Sequence, residues 1–402
     1  MTSKSRWLIF LVSTPLVALV AIGGLLSAKA APRTATNTTK QAFPHLRVFE
    51  DVVSLIMSSY VEDANADKVM DGAMRGLADS LDPMSAYLTP DEVVLAKNQT
   101  ALSGADVGLV VSRQFYLRVV GVRDGSPAAR AGLRTNDFIR GIDNKPTREV
   151  SAFTGARLLR GAPGSKVELT VLRGNAVDPH VVTLVREVPT TANVTTTRLP
   201  SGVAIVRVTS FSEGTATALG TALDGLPKTG VSGLVIDLRS TADGPIDEGV
   251  AAARLFVKTG TLAIRSERAQ PRVVTAAVAG DGRITLPVVL LVSNGTAGAA
   301  EVFAAALNGN KRADLVGEPT AGLAGAQKLV ALSEGSGLWM TYARYLAMDG
   351  EPIHEQGLRP TVAVESPSVA FDVAPPTTDD MLAKAIAHLS ASKTPRAPAS
   401  HP

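Results

Sequence analysis

Cysteine is absent from the 402 residues, so disulfides, thiolate nucleophiles and cysteine-based metal sites are excluded. The absence fixes no compartment, because an oxidising one permits disulfides without requiring them. Histidine is scarce: there are five, and none stands in a metal-binding spacing such as HExxH. The glycines form no GxxxxGK[ST] phosphate loop, and the sequence calls for no cofactor. Lysine and arginine are spread thinly, for a formal net charge of only +3. Without a basic run, they read as a solvated surface and not as a nucleic-acid interface.

Apolar residues, by contrast, are plentiful. Hydrophobic content is 45% against 19% charged, enough for more than one core over a length that suggests two or three domains. Lys4 and Arg6 precede an uncharged stretch from Trp7 to Ala28, and Ala28-Lys29-Ala30 has the form of a cleavage site. The stretch could also span a bilayer, which takes about 20 residues. Residues 1–30 therefore read as a signal peptide or a retained membrane anchor, with a buried helix as the third reading. Either of the first two puts the rest of the chain in the cell envelope, periplasmic or otherwise extracytoplasmic, the orientation that the positive-inside tendency favours.

Residues 31–42 are small and polar and read as a linker. Over 43–98 the apolar spacing is helical: Leu46, Phe49, Val53 and Ile56 share one face, a second helix covers about 66–77, and Pro83 and Pro90 break the pattern after it. Residues 99–188 change to short strands rich in Val, Ile and Leu, with two short helices at about 127–131 and 151–159. From 189 to 376 strands and helices alternate, and GVAIVRV, GLVIDLR and LPVVLLVS suit buried strands of an α/β domain. Residues 377–402 hold a last helix, with Thr378 as its cap and Leu382, Ile386 and Leu389 on one face, followed by a tail.

Four stretches, in this order and at these spacings, resemble the carboxy-terminal processing proteases, the S41 family of serine peptidases. They are LDPMSAYLTPDE at 81–92, GSPAARAGLRTNDFIRGIDNKP at 125–146, GLVIDLRSTADG at 233–244, and the run from VLLVSNGTAGAAEVFAAAL through LVGEPTAGLAGAQ to LWMTYARYLAMDGEPIHEQGLRP. The resemblance covers about 43–390. It implies an α+β multidomain chain: an N-terminal helical segment, an inserted PDZ-like β domain, and an α/β protease-like core. A PDZ groove adds a peptide to a sheet edge and seats the terminal carboxylate in a nest of backbone N–H groups. By resemblance Val107, Gly108, Leu109 and Val110 would meet that carboxylate, with Leu109 and the 151–159 helix lining the apolar pocket. An ordinary strand start at a glycine turn is the alternative.

The resemblance also implies a catalytic serine at a helix start, a lysine base and an orienting glutamine. A-S-A-S-E of the family is here Ala297-Gly298-Ala299-Ala300-Glu301, so the nucleophile falls on Gly298. T-x-G-K-G-x-x-Q is here Thr320-Ala321-Gly322-Leu323-Ala324-Gly325-Ala326-Gln327, so the base falls on Leu323 and the glutamine is kept as Gln327. L-R-x-N-P-G-G becomes Leu238-Arg239-Ser240-Thr241-Ala242-Asp243-Gly244, with Asp243 replacing a glycine beside the oxyanion site. A carboxylate facing that site would repel a developing oxyanion. Amide hydrolysis needs a nucleophile and a base, and Gly298 and Leu323 supply neither. Close apolar packing is the plainer reading of Gly298, Ala299, Ala300 and Leu323.

Ser293 and Thr296 are the nearest hydroxyls in sequence, with His354, Asp237 and Glu301 as partners on paper. Lys328 should face away, because Leu323 and Gln327 share strand parity and Lys328 does not. The expectation is a pseudoprotease that binds protein or peptide C-termini, or an active protease relative, as scaffold, adaptor or regulator. An uncleaved N-terminal segment would add the membrane as a partner. The alternatives are an active peptidase with a relocated site and a structural envelope protein without peptide ligand.

Overall fold

In the computed structural model, residues 36–98, 104–174, 178–227, 229–367, 369–371, 373 and 376–391 are described. The stretch Trp7–Ala28 lies outside them, and so do the tail beyond residue 391 and residues 31–35; residues 36–42, expected as linker, are instead helical. Among the described residues no helix is long and apolar enough to cross a membrane. The chain divides into two compact units, Met1–Met70 and Asp71–Pro402.

The first unit holds the helix Thr36–Ser59, which contains Pro44. Phe49, Val53 and Ile56 are its half-buried residues, as their spacing predicts. Leu46, expected on the same face, is exposed. A second helix, Ala66–Asp79, runs across the division between the units.

Pro90 does not end a helix here; it starts one. Proline is tolerated in a first helical turn because its missing N–H would be unpaired there anyway. Pro90–Lys97 is capped by Thr89, whose hydroxyl accepts from the Glu92 N–H while the Glu92 carboxylate takes the Thr89 N–H at 3.0 Å. Just before it, Ala86–Leu88 adds an antiparallel strand to Gly337–Leu346, with Ala86 opposite Trp339. Residues 86–88 are thereby built into a sheet of the core.

The PDZ-like unit is a sheet in the order Leu109–Gln114, Tyr116–Val122, Phe138–Ile142, Lys166–Leu172, His180–Val185. Leu109–Gln114 is an edge strand. Along Lys166–Leu172 every second residue is buried, as for a sheet with one covered face. Its core includes Leu117, Ile139, Leu169 and Val171. The helix Ala152–Leu158, capped by Ser151, lies by the edge strand.

The core domain holds a six-stranded sheet in the order Val362–Ala363, Ala313–Gly317, Val288–Val292, Gly233–Asp237, Val203–Val208, Val194–Arg198. All pairs are parallel except the last. Gly233–Asp237 and Val288–Val292 are buried at every position, which accounts for their consecutive apolar residues. Phe211, Leu219, Phe256 and Phe303 fill one side. On the other, Met381, Ala385 and Leu389 of the helix Asp380–Ala391 pack on Val235, Val289 and Leu291. Asp379, not Thr378, caps this helix: its carboxylate accepts from the Leu382 N–H at 2.9 Å.

Candidate functional site

The parallel strands carry their C-terminal ends to one edge of the sheet, and two loops leave them there. The loop after Gly233–Asp237 is anchored by Asp237, which accepts from the Arg239 N–H and from its guanidinium. Arg239 also makes paired bonds to Asp379. The loop after Val288–Val292 turns through Ser293–Ala297 into the helix Ala299–Gly309. Ala297 N–H bonds to the Thr241 carbonyl at 2.9 Å, which joins the two loops.

Gly298 stands at the helix start with φ 58° and ψ −115°, a conformation that L side chains rarely adopt. A Cβ built on it meets nothing nearer than the Leu323 carbonyl oxygen at 4.0 Å. Residue 298 is therefore a neighbour of residue 323 through the Leu323 backbone. Neither brings a reactive group. Ala299 and Ala300 are packed tightly in the core; Gly298, expected to be close-packed with them, instead has open space where a side chain would start.

Glu301 organises this junction. Its carboxylate is fully buried and accepts from the backbone N–H groups of Gly298 at 2.9 Å, Gly322 at 2.7 Å and Leu323 at 2.8 Å. The Thr320 hydroxyl donates to it and accepts from the Leu358 N–H at 2.8 Å. Burial pushes the Glu301 carboxyl up to about 7, and the four hydrogen bonds hold it from rising further. One side chain thus ties the helix start to the loop 320–323.

Leu323 lies in that loop, ahead of the strand Gly325–Ala331, and the pairing with Gly337–Leu346 slips between Ala326 and Gln327. Strand parity therefore does not link Leu323 to Gln327, because residue 323 is not on the strand; the extra residue of the slip, Tyr342, belongs to the partner strand. Gln327 bonds to the Thr341 hydroxyl at 3.1 Å. Lys328 is exposed with its ammonium over the Tyr342 ring. The nearby hydroxyls are otherwise engaged: Thr296 donates to the Leu238 carbonyl, and Ser293 accepts from the Gly295 N–H. His354 is buried with neither ring nitrogen hydrogen-bonded. Among the described residues no serine or threonine hydroxyl bonds to a lysine or a histidine.

A cavity of about 300 Å³ lies between the edge strand Leu109–Gln114 and the helix Ala152–Leu158, and it continues onto the core. Leu109, Ala152, Ala156 and Leu159 are on its PDZ-like side; Asp243 and Gln327 are on its core side. Gln327 and the loop of Asp243 thus border the same cavity as the edge strand. The Asp243 side chain is exposed on that cavity, and its carbonyl accepts from the Phe211 N–H. Gly244 is fixed by contact, since a Cβ there would lie 2.1 Å from the Phe211 oxygen.

The two domains meet across a seam with no room for side chains. A Cβ on Gly121 would lie 2.8 Å from that of Ala242, and one on Gly295 would lie 2.6 Å from the Thr135 hydroxyl. Arg207 of the core adds a two-pronged pair to Asp124, at 2.8 and 3.0 Å.

This arrangement matches known proteins. Residues 202–364 fit the model of peptidase family S41, 118–173 fit a PDZ domain, and 23–92 fit the activating protease CtpB N-terminal domain. Carboxy-terminal processing protease CtpA of Bacillus subtilis is 31% identical over 317 residues, 78% of this chain and 68% of that protein. The chain belongs to the S41 peptidase family. Among other S41 relatives, the carboxyl-terminal-processing protease of Synechocystis is 32% identical over 72% of this chain and 69% of its own. The solved photosystem II D1 C-terminal processing protease superposes with a TM-score of 0.66 at 28% identity, covering 81% of this chain and 94% of that one.

Two features of this S41 chain were not picked out from its sequence. Asp106 holds the loop entering the edge strand, and Asp91–Glu92 after Thr89 forms a capped helix start. Thr-x-x-Glu just before apolar residues is a readable signal for the second. For the first, an aspartate two residues before a glycine is an Asx-turn signal.

Proposed function

We propose that this chain is a non-hydrolytic member of its family, a pseudoprotease that binds polypeptide or a partner protein through its PDZ-like groove and serves as scaffold, adaptor or regulator. Gly298 carries the reading. The residue beside Leu323 at the helix start has no side chain, and the N–H groups around it are held by Glu301. Acyl transfer needs an attacking atom and a base to deprotonate it, and no hydroxyl–amine pair takes their place among the described residues. Lys4, Arg6 and the uncharged stretch Trp7–Ala28 support a position in the cell envelope, on a membrane anchor or released after Ala30. An active protease of the same family is a fitting partner for such a chain.

The test is hydrolysis. The purified chain is incubated with unfolded casein and with peptides ending in apolar residues, and cleavage is followed by mass spectrometry. The expected result is no product above a protease-free blank. Cleavage that persists through repurification, and that disappears on replacing Ser293 or Thr296, would overturn the proposal in favour of a relocated site.

A further inference from the structure

The groove keeps an open sheet edge, but the loop that enters it is already occupied by a carboxylate of the protein itself. Asp106 is buried just ahead of the edge strand, and its Oδ1 accepts from the Gly108 N–H at 2.8 Å. The Arg123 guanidinium closes on both oxygens of the same carboxylate. The Asp106 backbone is pinned as well, exchanging both hydrogen bonds with Glu187 at 3.0 and 2.9 Å. Gly108 sits at φ +80°, where a Cβ would lie 2.1 Å from that of Ser126, so no side chain fits there.

We infer that the groove takes an internal extended segment of a polypeptide, not a chain terminus. This rests on the peptide-binding reading proposed above. A terminal carboxylate gains by finding unpaired N–H donors and positive charge. Here Asp106 holds the Gly108 donor and neutralises Arg123. A second carboxylate brought to the same donor would stand within a few ångströms of the first, and like charges at that distance repel. The open edge, Leu109 to Ser112, needs no terminus from its ligand; beyond it the Arg113 N–H is taken by the Pro83 carbonyl at 3.1 Å. The open edge pairs with any strand whose backbone is extended and whose side chain fills the apolar space by Leu109, Ala156 and Leu159. The cavity runs on to Asp243 and Gln327 of the core, so a segment can continue past the groove without ending in it.

The test compares two forms of one peptide on the full chain. Labelled peptides of alternating valine and threonine with a leucine anchor are titrated by fluorescence anisotropy, as the free acid and as the C-terminal amide. The amide is expected to bind within about twofold of the acid, or tighter. Replacing Asp106→Asn removes the resident charge and leaves Arg123 unpaired. It should turn this into a preference for the acid of about tenfold. A wild-type preference for the free acid of about tenfold or more would overturn the inference while leaving peptide binding intact. If neither form binds, and the same sequence displayed in a loop of a carrier protein also fails, the peptide-binding reading falls and takes this inference with it. Should Asp106→Asn not fold, the acid-to-amide ratio of the wild type still decides.

Discussion

Two glycines at positive φ mark the two regions where peptide chemistry is expected, and they are unlike. At Gly108 an added Cβ would lie 2.1 Å from that of Ser126, so neighbouring atoms exclude any side chain. At Gly298 the same atom would meet only the Leu323 carbonyl, at 4.0 Å. Packing dictates the first glycine; only backbone conformation favours the second. The PDZ-like loop is thus built around its glycine, whereas the helix start leaves the space beside its glycine unfilled. Glu301 holds the N–H groups around residue 298 with its own side chain.

Substitutions at the two glycines test this contrast directly. Gly108→Val should be the most damaging change, costing about 4 kcal/mol in urea unfolding and abolishing peptide binding. A cost below about 1 kcal/mol would show that the loop can yield and would erase the difference between the regions.

Glu301 gives the next largest effect, and its sign is set by its raised pKa. The folded carboxyl, at about 7, holds its proton more tightly than an unfolded one at 4.5. Its contribution is therefore fully present below the unfolded value and is lost as pH rises through about 7. Between about pH 5 and pH 8 the wild type should lose about 3 kcal/mol relative to Glu301→Gln. Parallel unfolding curves at both pH values would show that burial does not govern this carboxyl.

Gly298→Ser should cost about 1.5 kcal/mol, all of it backbone strain. The hydroxyl alone should yield no casein cleavage, since the one carboxylate beside it, Glu301, is already held by three backbone N–H groups and the Thr320 hydroxyl. Adding Leu323→Lys supplies the amine, and cleavage by that pair but not by either single variant would show that the two positions stand in register. The smallest effect belongs to Asp379→Ala, about 1 kcal/mol for the lost cap. Burial raises the Asp379 carboxyl, but the Arg239 hydrogen bond, the Leu382 N–H and the Arg239 charge together hold it below its usual range. This support is consequently lost as pH falls, the reverse of Glu301.

The buried strands were legible because both faces of Gly233–Asp237 and Val288–Val292 are covered, leaving unbroken apolar runs. The helix Ala299–Gly309 and the two short PDZ-like helices also stand where their spacing and caps place them. Ala86–Leu88 was not legible: three residues carry no periodicity, and their partner lies some 250 positions away in the chain. Residues 298 and 323 were paired by resemblance, and the Leu323 carbonyl is the atom nearest the space beside Gly298. What the sequence could not convey was position relative to the sheet. Leu323 precedes its strand, so parity could not link it to Gln327, although Lys328 does stand off the cavity that Gln327 lines. Asp106 escaped notice because its importance depends on Arg123, seventeen residues on and across a hairpin.

The seam at Gly121 and Gly295 makes the two domains partners in sequence drift. A methyl group at 121 has to be answered by an atom removed from Ala242, whereas one at 295 also meets the Ser240 and Val120 backbone at 2.9 Å and can enter only if the domains move apart. Changes at 121 and 242 should therefore occur as a matched pair in the lineage of this chain, and position 295 should stay glycine. The PDZ-like unit and the loop that borders it are thereby inherited together.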